Sequence, residues 1–203
     1  MALNFMLRFL IVSVALIVAG CAAPQQRPVD LKAELEAMFD SDQRYRPRAQ
    51  EIEVKGDPNS AEVRELKRKQ KVIDDANLAR LGHIIKEQGW PDQRIVGEKA
   101  AMAAFMVIQH NDFSHQKQYL PLLRTAVAEG KARGQDLALL EDRVLVGEKK
   151  KQIYGSQLQR NEKGGLEFCP IEDEEHVDER RKSVGLKPLA DYGKQFGIEY
   201  KPK

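Results

Sequence analysis

The segment Glu98–His110 (EKAAMAAFMVIQH) limits the possible folds of this chain more than any other. On a helical wheel stepped at about 100° per residue from Lys99, Ala100, Ala101, Ala103 and Ala104 cover one broad side, and Met102, Phe105, Met106, Val107 and Ile108 fill the rest. A helix apolar on all sides belongs in the middle of a bundle, and its alanines let neighbouring helices come close. Gln109 and His110 project among these apolar residues, so they need partners, because an unpaired buried donor costs about 1–3 kcal/mol. Leu137–Val146 has the same all-round character, with Asp142 falling between Leu145 and Val146, and Arg143 between Leu139 and Leu140. Buried charges persist only when paired. Asp142 and Arg143 are therefore either a structural ion pair or part of a polar site, and the wheel leaves both open.

Helical periodicity runs through most of the remaining chain. Leu31, Leu35, Met38 and Phe39 line one face of a first helix, with Asp30 as its N-cap. Arg44–Asn59 is polar and carries Pro47 and Pro58, which predicts a loop. Ser60 opens a long helix marked by Leu66, Ile73, Leu81 and Ile84 and stopped by Gly89 and Pro91. On it Asp74 and Asn77 share a face, which turns either inward or to solvent. Further helices are predicted near 98–110, 114–130 and 135–149. After Lys151 two short apolar stretches flank Asn161-Glu162-Lys163-Gly164-Gly165, a hairpin signal. A charged helix over 174–184 and a short one over 188–195 close the chain. The fold class expected is mainly α, a single-domain helical bundle with one small β-hairpin.

The N-terminus carries an address. Arg8 is the only charged residue before Cys21, and Phe9–Gly20 (FLIVSVALIVAG) is apolar, the layout of a secretory signal. The run is too short for a spanning helix, which needs about 20 apolar residues. Val18-Ala19-Gly20-Cys21 resembles the lipobox of bacterial lipoproteins. That resemblance implies cleavage before Cys21 and acylation of its thiol, so the lipid bilayer becomes a partner. The organisation expected is a signal peptide over 1–20, lipidated Cys21 and tether over 21–28, and one helical domain over 29–203. Ala22 stands where lipoproteins kept in the inner membrane of Gram-negative cells carry aspartate, so the resemblance implies the outer membrane, facing the periplasm. Of the 33 Lys and Arg, only Arg8 falls in the signal, so the remainder nearly balances the 31 Asp and Glu. This balance argues against nucleic acid as a partner. With Cys21 acylated, Cys169 is left alone in Phe168-Cys169-Pro170-Ile171, an apolar setting for an inert thiol.

Several polar pieces occur in a set order: Asp42-Gln43-x-x-Arg46, Ile73-Asp74-x-x-Asn77, Gly89-Trp90-Pro91, Gln109-His110, Asp142-Arg143, Gln152-x-Tyr154-Gly155-x-Gln157, and Arg180-Arg181 ending near Tyr192. Together they resemble an uncharacterised bacterial family, the domain of unknown function 6624 family, over roughly Leu31–Tyr192. Ser156 departs from the threonine of that pattern. The resemblance implies no established activity, and three readings follow. In a cell-envelope hydrolase, His110 is the acid/base. Asp74 or Asp142 orients its ring, and Arg143 or Arg46 holds an anionic group. In a binding module, Arg46, Asn77, Trp90, Gln109, Gln152, Tyr154 and Gln157 line a polar pocket for an envelope ligand; Trp90, between Gly89 and Pro91, is either a stacking platform there or a core anchor that ends the helix. In an assembly lipoprotein the same residues form a buried network. His110, Asp112 and His115 are poorly spaced for a metal, and no metal or cofactor is expected.

Overall fold

A computed structural model of the chain describes residues 30–162 and 164–201. The expected signal segment 1–20, Cys21 and the tether to residue 28 lie outside the described residues. Asp30 caps α1 (Leu31–Asp42) by accepting the amides of Lys32 and Ala33. The polar stretch expected as a loop instead forms α2 (Arg46–Lys55). Pro47 sits in its first turn, where a missing N–H breaks no helical bond, and Ala49 is buried on the inner face. Ser60 caps the long α3 (Ala61–Gln88), which stops at Gly89, whose φ of 78° favours glycine. Short α4 (Gln93–Val96) precedes α5 (Glu98–Gln109), α6 (Phe113–Ala128) and α7 (Gly134–Gly147).

The all-apolar segment is the hub. α5 contacts α1, α3, α4, α6 and α7, and Ala100, Ala103, Ala104 and Ile108 are sealed from solvent. Its alanines, with Phe105 and Val107, belong to the core cluster shared with α1, α3, α6 and α7. α7 is less enclosed than its wheel suggests: Ala138, Leu140 and Val144 are buried, but Leu137, Leu139, Leu145 and Val146 are only half-buried. Of the two roles open to Trp90, the core anchor matches its position: it lies in the core at the α3–α4 corner with 8 % exposure. It fills the core behind the Gly89 turn, and its ring is closed to a ligand.

The C-terminal segment wraps onto α7. A turn at residues 152–157 leads into β1 (Leu158–Arg160), which pairs antiparallel with β2 (Leu166–Phe168) in the register Gln159 opposite Glu167. A 3₁₀ turn (Glu174–His176) enters α8 (Val177–Ser183), and Pro188 precedes α9 (Leu189–Lys194). The architecture is thus mainly α with a small hairpin. Among the described residues no helix is long and apolar enough to cross a membrane.

The close approach to α5 generates a test. Ala104 has no exposure, so Ala104→Leu overfills the hub at a cost of about 1–3 kcal/mol. The melting temperature should fall by about 2–4 °C for each kcal/mol in a chain of this size. An unchanged melting curve by circular dichroism would show that α5 has room to spare.

Candidate functional site

The C-terminal ends of α1 and α5 meet the middle of α3 and the start of α2. The last residue of α1, Asp42, is 1 % exposed, and both its oxygens lie against Nδ1 of His110, at 3.0 and 2.9 Å. His110 follows α5 directly as its C-cap. Asp42 also accepts from Arg46 Nη2 at 3.1 Å and from Gln43 Nε2 at 2.6 Å. The same Nη2 donates to Asp74 Oδ1 on α3 at 2.7 Å, and Gln70 Nε2 donates to that oxygen at 2.8 Å. Gln70 Oε1 in turn accepts the amide of Tyr45, fixing the start of α2.

Burial alone would raise the Asp42 carboxyl. The hydrogen bond and charge of His110, then those of Arg46, outweigh it and hold Asp42 below the usual carboxylate range. An ionised carboxylate only accepts, so Nδ1 carries the hydrogen, and Nε2 is the ring nitrogen left without a partner among the described residues. His110, Arg46, Gln70 and Asp74 line a cleft of about 510 Å³ between α2 and α3. Its apolar wall is Ala49 and Leu66, and Glu53, Lys67 and Lys71 stand at its mouth.

The remaining polar residues form a separate, enclosed network. Asp142 has no exposure, and its carboxylate accepts the amides of Ile153 (2.7 Å), Tyr154 (3.0 Å) and Ser156 (2.9 Å). Burial pushes this carboxyl up against the pull of those amides. Gln152 is also sealed, donating to the carbonyls of Gln157 and Cys169 and accepting the Gln157 amide. Arg181, 1 % exposed, donates to the carbonyls of Lys187 and Tyr154 and lies 4.9 Å above the Tyr192 ring. Arg180 holds the carbonyls of Ile153, Glu172 and Asp173. Gly155, with φ of 72°, is required by local crowding: a Cβ there would lie 2.8 Å from Leu189 Cδ1.

These placements revise the sequence reading residue by residue. Asp42 orients His110; neither Asp74 nor Asp142 does, since Asp74 faces Arg46 and Asp142 binds the 153–156 turn. Arg143 does not line the cleft. With the Gln109 amide oriented towards it, Gln109 oxygen accepts Arg143 Nε at 2.9 Å and Nη2 at 3.2 Å. Asn77 ties α3 to α1 by donating to Met38 O and Ser41 Oγ. Gln152, Tyr154 and Gln157 bond within the C-terminal turn rather than facing the cleft. Cys169 is a buried free thiol that burial pushes up. Asp112, His115 and Ser114 make a helix cap, with Asp112 accepting from both. Asp42 and Gln70 were missed as site candidates; Gln70 sits in the charged run of α3 and had no signal, and Asp42 had a weak one. Its only signal was its place in the Asp42-Gln43-x-x-Arg46 piece, because on α1 it looks like an ordinary polar helix end.

The enclosed network predicts a local unlocking. Asp142→Ala strands three amides, each at about 1–3 kcal/mol. The amides of Ile153, Tyr154 and Ser156 should lose protection from hydrogen exchange well before those of α5. Equal protection in variant and wild type would remove Asp142 as the anchor of this segment.

The family model of a family of unknown function (DUF6624) matches residues 29–201, and the chain belongs to that family. No curated protein and no solved structure matches the chain.

Proposed function

Since the family to which this chain belongs brings no established chemistry, we propose a function from the cleft itself: an exported envelope lipoprotein, tethered through Cys21, that binds a polar envelope ligand between α2 and α3 and hydrolyses it. The observation that carries this reading is the Asp42–His110 pair. A sealed carboxylate holds Nδ1, and Nε2 has no partner among the described residues while its ring lines an open cleft. Such an arrangement serves general acid/base work, because Asp42 steadies the imidazolium formed when Nε2 takes a proton.

Among the described residues no Ser, Thr or Cys lines the cleft, so water is the nucleophile in this reading. Nε2 removes a proton from water as its oxygen attacks the ligand, and the imidazolium then gives that proton to the departing group. The second reading is a binding module without turnover. It is favoured by Arg46, whose charge is already shared between Asp42 and Asp74 and so gives weak support to a developing oxyanion.

One experiment separates these readings. The purified protein is incubated with detergent-solubilised envelope material, and soluble products are followed by mass spectrometry. His110→Ala should cut product release by about 10²–10⁴-fold with an unchanged circular dichroism spectrum, and Asp42→Asn should lower it too. Equal release by wild type and His110→Ala would overturn the hydrolase. Ligand retention without products, weakened by His110→Ala, would leave the binding module.

The tether has its own test. A single acyl chain binds a bilayer only marginally, so stable anchoring takes the several chains of a lipoprotein cysteine. Cys21→Ser should move a folded protein from the membrane to the soluble fraction. A variant that stays with the membrane would overturn the anchor.

A further inference from the structure

The charge pattern of the cleft narrows what can enter it, an inference that rests on the cleft being the ligand site. Arg46 is the one cation on its floor, and two carboxylates already share its Nη2. At the mouth Lys67 faces Glu53 at 2.5 Å and Lys71 faces Asp75. Three cations thus meet four carboxylates, and an anionic ligand would have to displace one of them to find an unanswered positive charge. Two acceptor atoms remain open. Asp74 is only 7 % exposed, and Arg46 and Gln70 both bond its Oδ1. No donor among the described residues reaches Oδ2, and that oxygen is not among the unpartnered atoms sealed from solvent, so it opens on the cleft that Asp74 lines. His110 Nε2 is open in the same way. Arg46 Nη2 touches both carboxylates and His110 hangs on Asp42, so both open atoms belong to one site. Arg46 Nη1 adds one free donor whose charge is already neutralised.

We infer that the cleft takes a ligand bearing a primary ammonium, which donates to Asp74 Oδ2, with a neutral oxygen of the same ligand accepting from Arg46 Nη1 and His110 Nε2 left open beside it for water. A buried carboxylate with one oxygen unanswered favours a cation over a hydroxyl, because a hydroxyl supplies one hydrogen bond and no compensating charge.

The test uses three small probes of similar size and different charge: ethanolamine, ethylene glycol and glycolate. Each is titrated into the full, detergent-solubilised protein with labelled histidines, and the His110 ring is followed by NMR. His115 and His176, which also pair with aspartates but lie at the surface, report non-specific attraction of ammonium. Ethanolamine should shift His110 at concentrations about tenfold lower than the other two, the effect of one answered charge at a partly screened site. His115 and His176 should stay unmoved, and Asp74→Asn should erase the preference. The wild-type ranking decides the matter even if that variant fails to fold. A preference for glycolate, or equal response to ethylene glycol, overturns the ammonium assignment and leaves the cleft as a ligand site. No response to any probe also overturns it, and the cleft itself falls only if envelope material likewise leaves His110 unmoved.

Discussion

The carboxylate of Asp42 is the point on which the amino-terminal half of the molecule closes. It sits at the end of α1 and is sealed from water, yet it is held in its charged form by His110 and Arg46. Through Arg46 it reaches Asp74, and through Asp74 it reaches Gln70 and the start of α2. Four helices are therefore joined by one chain of charge-assisted bonds. Taking ions out of water costs several kcal/mol each, and the cost is recovered only when every member is paired. Removing one member leaves the others buried and unanswered, which makes this cluster a strict constraint on how α1, α2, α3 and α5 meet. The cluster is also incomplete: Arg46 Nε is buried without a partner, and His110 Nε2 and Asp74 Oδ2 are left over towards the cleft.

Asp142 plays the corresponding part for the carboxyl-terminal segment, with the opposite outcome. Its partners are backbone amides, and no atom of it opens onto a cavity. The two clusters touch through Gln109 and Arg143, the sequence neighbours of His110 and Asp142. Successive helical residues point about 100° apart, so adjacent polar residues at 109–110 and 142–143 serve different neighbours. A single polar interior, imagined from the sequence, is split into an open cleft and a closed clasp. The clasp explains why Gln152, Tyr154, Gly155 and Gln157 stand together in the sequence: they build the turn that Asp142 captures.

Much of the fold was legible because the relevant signals are local. The caps at Asp30 and Ser60, the stop at Gly89 and the all-apolar α5 act within one or two helical turns. The miss at α2 has a local reason too, since Pro47 reads as a breaker unless it is placed in the first turn, where it is harmless. His110 and Asp74, both singled out in the sequence, line the cleft. The place of Asp42, and the choice between two roles for Trp90 and for Arg143, depend on what lies opposite them in space. Asp42 is separated from His110 by most of α2, α3 and α5, and nothing in α1 announces the histidine that it holds.

The sequence by itself determined that this chain folds as helices around a central apolar one and that it carries the pattern of its family. These follow from periodicity and solvation, which each segment expresses alone. Tertiary structure decided which carboxylate orients the histidine, which arginine is already neutralised and which polar residues face a cavity. Those outcomes depend on pairing across distant helices, because a buried charge is stable only beside its partner, and only the folded chain brings the partners together.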